Sequence, residues 1–289
     1  VYLRALSFHV YLNDAARARQ ELRKWPNVAE SSDSEVLELY VDVYGDSLSE
    51  VEKLPIIDRI LQKPRTRSVQ LQYSVLRSIL FASLGDSAAA QRALLPIVDA
   101  LRRARPVPPH WDEIHMAARA FDHRYQLTEE KSDYEEAVSY YRQIAFEALK
   151  PYGQARLLRE LGALQSKAGE HAQAVESLEA ALATDPASDI KVTLVFALIA
   201  ARRVDEAAVA FSMIDKTSLP SMLQLEYWHA AGTIAVETAD NSRLQEALAM
   251  LRSLTFPGIY WARVRDHVVE ELSKPGPQTS RIASLLRIT

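Results

Sequence analysis

GEHAQAVESLEAALATDP, running from Gly169 to Pro186, decides the fold. Glycine opens it, where a backbone needs a positive φ to leave a helix. Ala174, Leu178, Ala181 and Leu182 then recur at helical spacing on one face, and Asp185-Pro186 closes the stretch. Upstream, QARLLRELGALQSKA carries Leu157, Leu158, Leu161, Leu164 and Gln165 at the same period. Two amphipathic helices joined by a tight turn are a helical hairpin. Antiparallel helices approach closely only where a small residue lies at the crossing, and Gly162 and Ala174 are the candidates. A mid-helix glycine costs about 1 kcal/mol relative to alanine, which close packing would offset.

The hairpin recurs. Pro26, Pro64, Pro106, Pro151, Pro186, Pro220 and Pro257 stand 34 to 45 residues apart, with Pro55 and Pro96 off the beat. A helix stop at that period is a repeat signal. Ala207, Phe211 and Ile214 repeat the second-helix pattern. Trp228, Ala231-Gly232, Ala247 and Leu251 repeat it again, with about three extra residues placed at Ala239–Ser242. Upstream copies are Gly85, Ala90, Leu94 and Ile97, then Ala137, Tyr141 and Ile144, and first Ala18 and Leu22. Asn13-Asp14, Asp86-Ser87, Ser132-Asp133, Asp205 and Asn241-Ser242 read as helix starts. Pro55 reads as the start of a short helix. No sustained strand alternation occurs.

The unit resembles the tetratricopeptide repeat, a pair of antiparallel helices of about 34 residues. The family places hold Leu158, Leu161-Gly162, Gln165, Gly169, Ala174, Leu178, Ala181 and Pro186. Gln165 departs from the pattern, where the family has an aromatic. The resemblance implies an all-α fold, a right-handed α-solenoid of about eight TPR-like hairpins forming one domain over residues 1–289. Repeats are divergent over 1–150 and clearest over 151–254. Residues 255–289 form a closing hairpin or capping helix, with Ile282, Leu285 and Leu286 of RIASLLRIT on one side.

Composition narrows the functions. The chain has 289 residues, no cysteine and a net charge of -4, so thiolate chemistry is absent and bulk charge does not favour nucleic acid. No apolar run approaches the ~18 residues that span a membrane, and no signal peptide is visible. A chain that begins at Val1 reads as a piece of something longer. No phosphate loop, GxGxxG, HExxH or GxSxG motif occurs. HWDEIH, His110 to His115, with Asp122-His123, is the densest polar cluster. Its ordinary reading has Trp111 buried, His110 starting a helix and the charges solvated; an enzyme or metal site there is the competing one. Glu129-Glu130 and Glu135-Glu136 suit a turn and a helix start, and Arg102, Arg103 and Arg105 suit a helix end. Lys63, Arg65 and Arg67 surround a proline.

A helical solenoid presents the first helix of each pair on a concave face that takes peptides or helices. The inward candidates are Arg156, Arg159 and Lys167, then Phe196, then Glu226, His229 and Thr233. In chaperone-binding members of the family an asparagine helps to capture a C-terminal carboxylate. The matching places here are Ala163, Phe196 and Thr233, which argues against that ligand and, through Phe196, for an apolar or helical one. The sequence therefore reads as a non-catalytic scaffold, without cofactor or metal, whose partner is another protein or peptide. Periplasmic TPR regions of bacterial exopolysaccharide export systems look similar. The alternative is a ligand- or regulator-sensing solenoid of a cytosolic signalling or transcription protein.

Overall fold

The computed structural model describes residues 48–63, 67–103, 111–144, 149–219, 221–256 and 259–275, with Gln20, Phe146, Ile282, Leu285 and Leu286 as single positions. The helix start at Asn13-Asp14, the copy at Ala18 and Leu22, the stops at Pro26, Pro64, Pro106, Pro220 and Pro257, and His110, Arg65 and Arg105 lie outside them. The described residues form twelve α-helices and no strand. These are α1 (Glu50–Gln62), α2 (Arg67–Ser83), α3 (Ser87–Arg103), α4 (Trp111–Thr128), α5 (Lys131–Gln143) and α6 (Pro151–Lys167). The rest are α7 (His171–Thr184), α8 (Ser188–Ala200), α9 (Val204–Ser212), α10 (Ser221–Glu237), α11 (Asn241–Ser253) and α12 (Ile259–Ser273). A 3₁₀ turn, Lys216–Ser218, follows α9. The all-α expectation holds, and tandem hairpins are its form. The packing divides into two units, Val1–Asp133 with Pro257–Tyr260, and Tyr134–Phe256 with Trp261–Thr289.

One turn joins the helices of four hairpins. After α6, Gly169 adopts φ +83° and donates its N–H to Ser166 at 3.1 Å, while Glu170 donates to Gln165 at 2.9 Å. This pair of bonds closes the helix end by satisfying carbonyls that would otherwise be orphaned. Gly85 repeats it with φ +86°. Arg202 and Ala239 repeat it too, at φ 64° and 56°, without being glycine. Because the Ala239 turn has the same bonds as the others, it holds no insertion. Counting from it, Leu244, Leu248 and Leu251 occupy the places of Ala174, Leu178 and Ala181, although Ala247 is also fully buried. The next helix starts on Asp86 or Asp240, whose carboxylates accept from the N–H of Ala89 and Arg243 at 2.8 and 3.0 Å. The expected start at Asp205 moves back to Arg203, which leaves Asp205 in the first turn of α9.

In the first unit, α1 packs on α2, and α2 and α3 pair before α4 packs on both. Pro55 lies inside α1 rather than at its start; the helix begins earlier, where the Ser49 N–H donates to Glu52 at 2.8 Å. Along α3 the buried face runs Ala90, Leu94, Val98 and Leu101, so Val98 replaces the expected Ile97. Arg102 does more than end a helix. Its Nη2 lies 2.8 Å from the Asp133 carboxylate, which is fully buried and also meets Arg124 Nε at 3.2 Å. The guanidinium lies over the Phe121 ring at 5.5 Å. Burial pushes the Asp133 carboxyl up, and the two arginines pull against that.

In the second unit, α6/α7, α8/α9 and α10/α11 are successive hairpins. Each first helix also packs on the next: α6 on α8, and α8 on α10. The central α8 therefore meets α6, α7, α9 and α10, and its stretch IKVTLVFALIA is apolar apart from Lys191 and Thr193, as suits a helix with protein on most sides. Gly162 faces α7: a Cβ there would lie 2.7 Å from Leu178 Cγ and 3.1 Å from the Ala174 carbonyl oxygen. The close crossing of Gly162 with Ala174 is thus present. Gly232 differs, since its Cβ would meet the Leu272 side chain of α12 at 2.6 Å. Gln165, in the place of an aromatic, is buried and accepts from the Ser177 hydroxyl at 2.7 Å, a polar clip across the hairpin.

Candidate functional site

The sequence-selected residues lie on the first helices α6, α8 and α10 of the second unit. They fall into a polar group and a buried group. In the polar group, Arg156 is exposed and pairs with Glu160 one turn on, at 3.1 Å. Arg159 Nε reaches from α6 to the carboxylate of Asp189 at the start of α8, 3.5 Å away. Lys167 is exposed and Glu226 of α10 is half-buried. Burial pushes the Glu226 carboxyl up; Arg159 pulls it down, Asp189 pushes it up and Lys167 pulls it down. Three helices thus share one field of mixed charge.

In the buried group, Phe196 of α8 packs on His229 of α10, with ring centroids 4.8 Å apart. The Thr233 hydroxyl donates to the His229 carbonyl at 2.8 Å and is fully buried. Only 3% of His229 is exposed, and burial holds its imidazole at a pKa of about 3. The ring is therefore neutral near pH 7. It makes a hydrogen bond with the backbone of Leu285, and its Nε2 is buried without one. Ile282 and Leu285 are helical and almost fully buried, in the same apolar cluster as Phe196 and Trp228. Leu285, in the stretch read as a closing helix, thus reaches α10.

Sequence reasoning missed Asp189, Glu160 and the contact of Leu285 with His229. Asp189 was within reach. It lies 33 residues after Arg156 and 37 before Glu226, at the same repeat position as both. The Leu285 contact had no such signal, because it joins segments outside the repeat register.

A second surface lies on the other helices of the same unit. A groove of about 390 Å³ between α7, α8 and α9 is lined by Leu182, Leu194, Leu198, Val209 and Met213, with Glu179 and Asp205 at its rim. Val209 and Met213 are more than half exposed.

The His110–His123 cluster has a different form from the one expected. Trp111 is exposed at 53%, and it stacks 6.4 Å from His115, which is the buried member. Among the described residues no three His, Asp or Glu side chains group as a metal site, and no helix is long and apolar enough to cross a membrane. No known family model matches the chain, and no curated protein matches it.

Proposed function

We propose that this chain is a non-catalytic scaffold of tetratricopeptide-like hairpins that binds a partner protein on the face formed by α6, α8 and α10. The observation that carries this reading is the continuity of that face. Arg159 meets Asp189 across the first pair of helices, and Phe196 meets His229 across the second. The polar group lies over successive repeats, with Phe196, His229 and Thr233 buried beneath the same face, and a patch of that extent suits an extended or helical segment rather than a small solute. Exposed Arg156 and Lys167 give the polar end two cations. The family-like places at Gly162, Gly169, Ala174 and Leu178 support the repeat assignment.

The test is capture of partners on the immobilised chain, with mass spectrometry of what is retained. One dominant protein, lost on Arg156→Glu together with Arg159→Glu, supports the reading and places the contact. The same protein retained by that variant and lost on Val209→Glu would move the site to the groove of α7, α8 and α9. No retained protein above background would overturn the scaffold reading.

A further inference from the structure

The groove of α7, α8 and α9 is built from stripes of three helices. Lys191, Leu194 and Leu198 stand at i, i+3 and i+7 on α8, and Asp205, Val209 and Met213 stand at i, i+4 and i+8 on α9. Glu179 and Leu182 add the edge of α7. Leu194 and Leu198 form a nearly closed floor, at 6% and 3% exposed, while Val209 and Met213 border it at 56% and 63%. A joined apolar concavity of this kind marks an interaction surface, where single scattered apolar residues do not.

Charge gives the groove a direction. The start of α8 lies beside the end of α9, where Lys191 Nζ donates to the Met213 carbonyl at 3.2 Å. That contact supplies a cation to the C-terminal carbonyls of α9 and sets one end of the groove. At the other end stand Asp205 and Glu206, in the first turn of α9, and Glu179 of α7, which lies 3.8 Å from Arg203. Among the described residues, three carboxylates there face one guanidinium. Arg203 gives two bonds to Glu206, at 2.7 and 2.6 Å, and Asp205 makes no hydrogen bond or ion pair among the described residues. This end thus keeps an excess of negative charge beside an aliphatic floor.

We infer that this groove docks a segment of a partner protein that carries large aliphatic side chains followed by lysine or arginine. The aliphatic chains cover Val209 and Met213, and the cation meets Asp205 and Glu179. A segment ending in Asp or Glu would set like charges together, and one with its cation at the opposite end would face Lys191. The same carboxylates repel an anionic lipid surface. The site goes beyond the proposed face of α6, α8 and α10, and shares only α8 with it, through residues other than Asp189 and Phe196.

The probes are two synthetic peptides with leucines in the first half, one ending in two lysines and the other in two glutamates. Each is titrated into the full chain carrying isotope-labelled methionine methyl groups. The Met213 signal, assigned by its loss in Met213→Leu, is followed by NMR. The lysine peptide should move that signal and bind about tenfold more tightly than the glutamate peptide. Asp205→Asn together with Glu179→Gln should bring the two peptides within about threefold of each other, and added salt should act in the same direction. Val209→Ser should weaken both peptides. All three substituted side chains are exposed, so the chain keeps its fold, which circular dichroism checks. A Met213 signal unmoved at millimolar peptide, equal affinity for the two peptides, or binding unaffected by Val209→Ser would each overturn the proposal. So would a wild-type dimer that dissociates on Val209→Ser, which would assign the groove to a second copy. None of these outcomes involves Arg156 or Arg159, so the proposed face of α6, α8 and α10 stands or falls separately.

Discussion

The Arg159 guanidinium of α6 stands 3.5 Å from the Asp189 carboxylate of α8, and both side chains are about one-third exposed. Their register places are different ones, Asp189 matching Arg156. The contact therefore leans from one repeat to the next rather than running straight across, and it ties the polar ends of two first helices together.

Water reaches both partners, so the pair adds little stability. A double-mutant cycle with Arg159→Ala and Asp189→Ala should give a coupling of about 0.5 kcal/mol. Partner capture should fall much further than that on Arg159→Glu. A coupling several times larger, measured by urea unfolding, would make this a structural pair and remove it from the proposed binding surface.

The two helix glycines should respond differently to alanine. At Gly162 the added Cβ meets Leu178 Cγ at 2.7 Å and a backbone oxygen at 3.1 Å, so neither neighbour yields easily. Gly162→Ala should cost about 1–2 kcal/mol and Gly162→Leu about 1–3 kcal/mol or more. At Gly232 the obstacle is the outer end of Leu272, which can rotate. The helix-propensity gain of about 1 kcal/mol offsets much of that clash. Gly232→Ala should therefore leave the melting midpoint nearly unchanged.

Arg202 and Ala239 hold a left-handed backbone that glycine adopts without strain. Arg202→Gly and Ala239→Gly should each stabilise the chain by about 0.5–1 kcal/mol, less than the full strain because glycine also loosens the unfolded state. Gly169→Ala, at φ +83°, should destabilise by about 1 kcal/mol. Chemical denaturation of the three variants checks the signs together.

Acid should act through His229. Its folded pKa is about 3 against 6.5 for the free side chain, chiefly because burial disfavours the imidazolium; the Leu285 bond opposes this and His267 adds to it. The unfolded chain binds the proton first. Stability from the neutral ring is present above pH 6.5 and is lost as pH falls toward 3, with a slope of at most about 1.4 kcal/mol per pH unit. His229→Gln should flatten stability over that window. An unchanged profile would mean that other groups dominate the acid limb.

Much of the hairpin was legible because its signals are local. Gly169, Ala174 and Leu178 are fixed by turn geometry and by the approach of two neighbouring helices, and both leave marks within twenty residues. The repeat register brought Arg159 and Glu226 into one electrostatic neighbourhood for the same reason. The Ala239 turn misled because alanine carries no mark of a positive φ, so an insertion was inferred where none exists. Trp111 was expected inside and stands outside; His115 takes the buried place one turn later. Asp133 read as a helix start, and its grip on Arg102, 31 residues earlier, leaves no periodic trace. Leu285 against His229 is harder still, since nothing in either segment names the other.

The four matching turns carry Gly, Gly, Arg and Ala at the left-handed position, yet their hydrogen bonds are the same. What persists is a pattern of backbone closure, and the residue at its centre alters only how comfortably the closure is held. Each lapse from glycine is a small, separable penalty that the packed helices on either side can absorb. A lineage can accumulate such lapses one repeat at a time, so the lettering of the repeat can fade well before its architecture does.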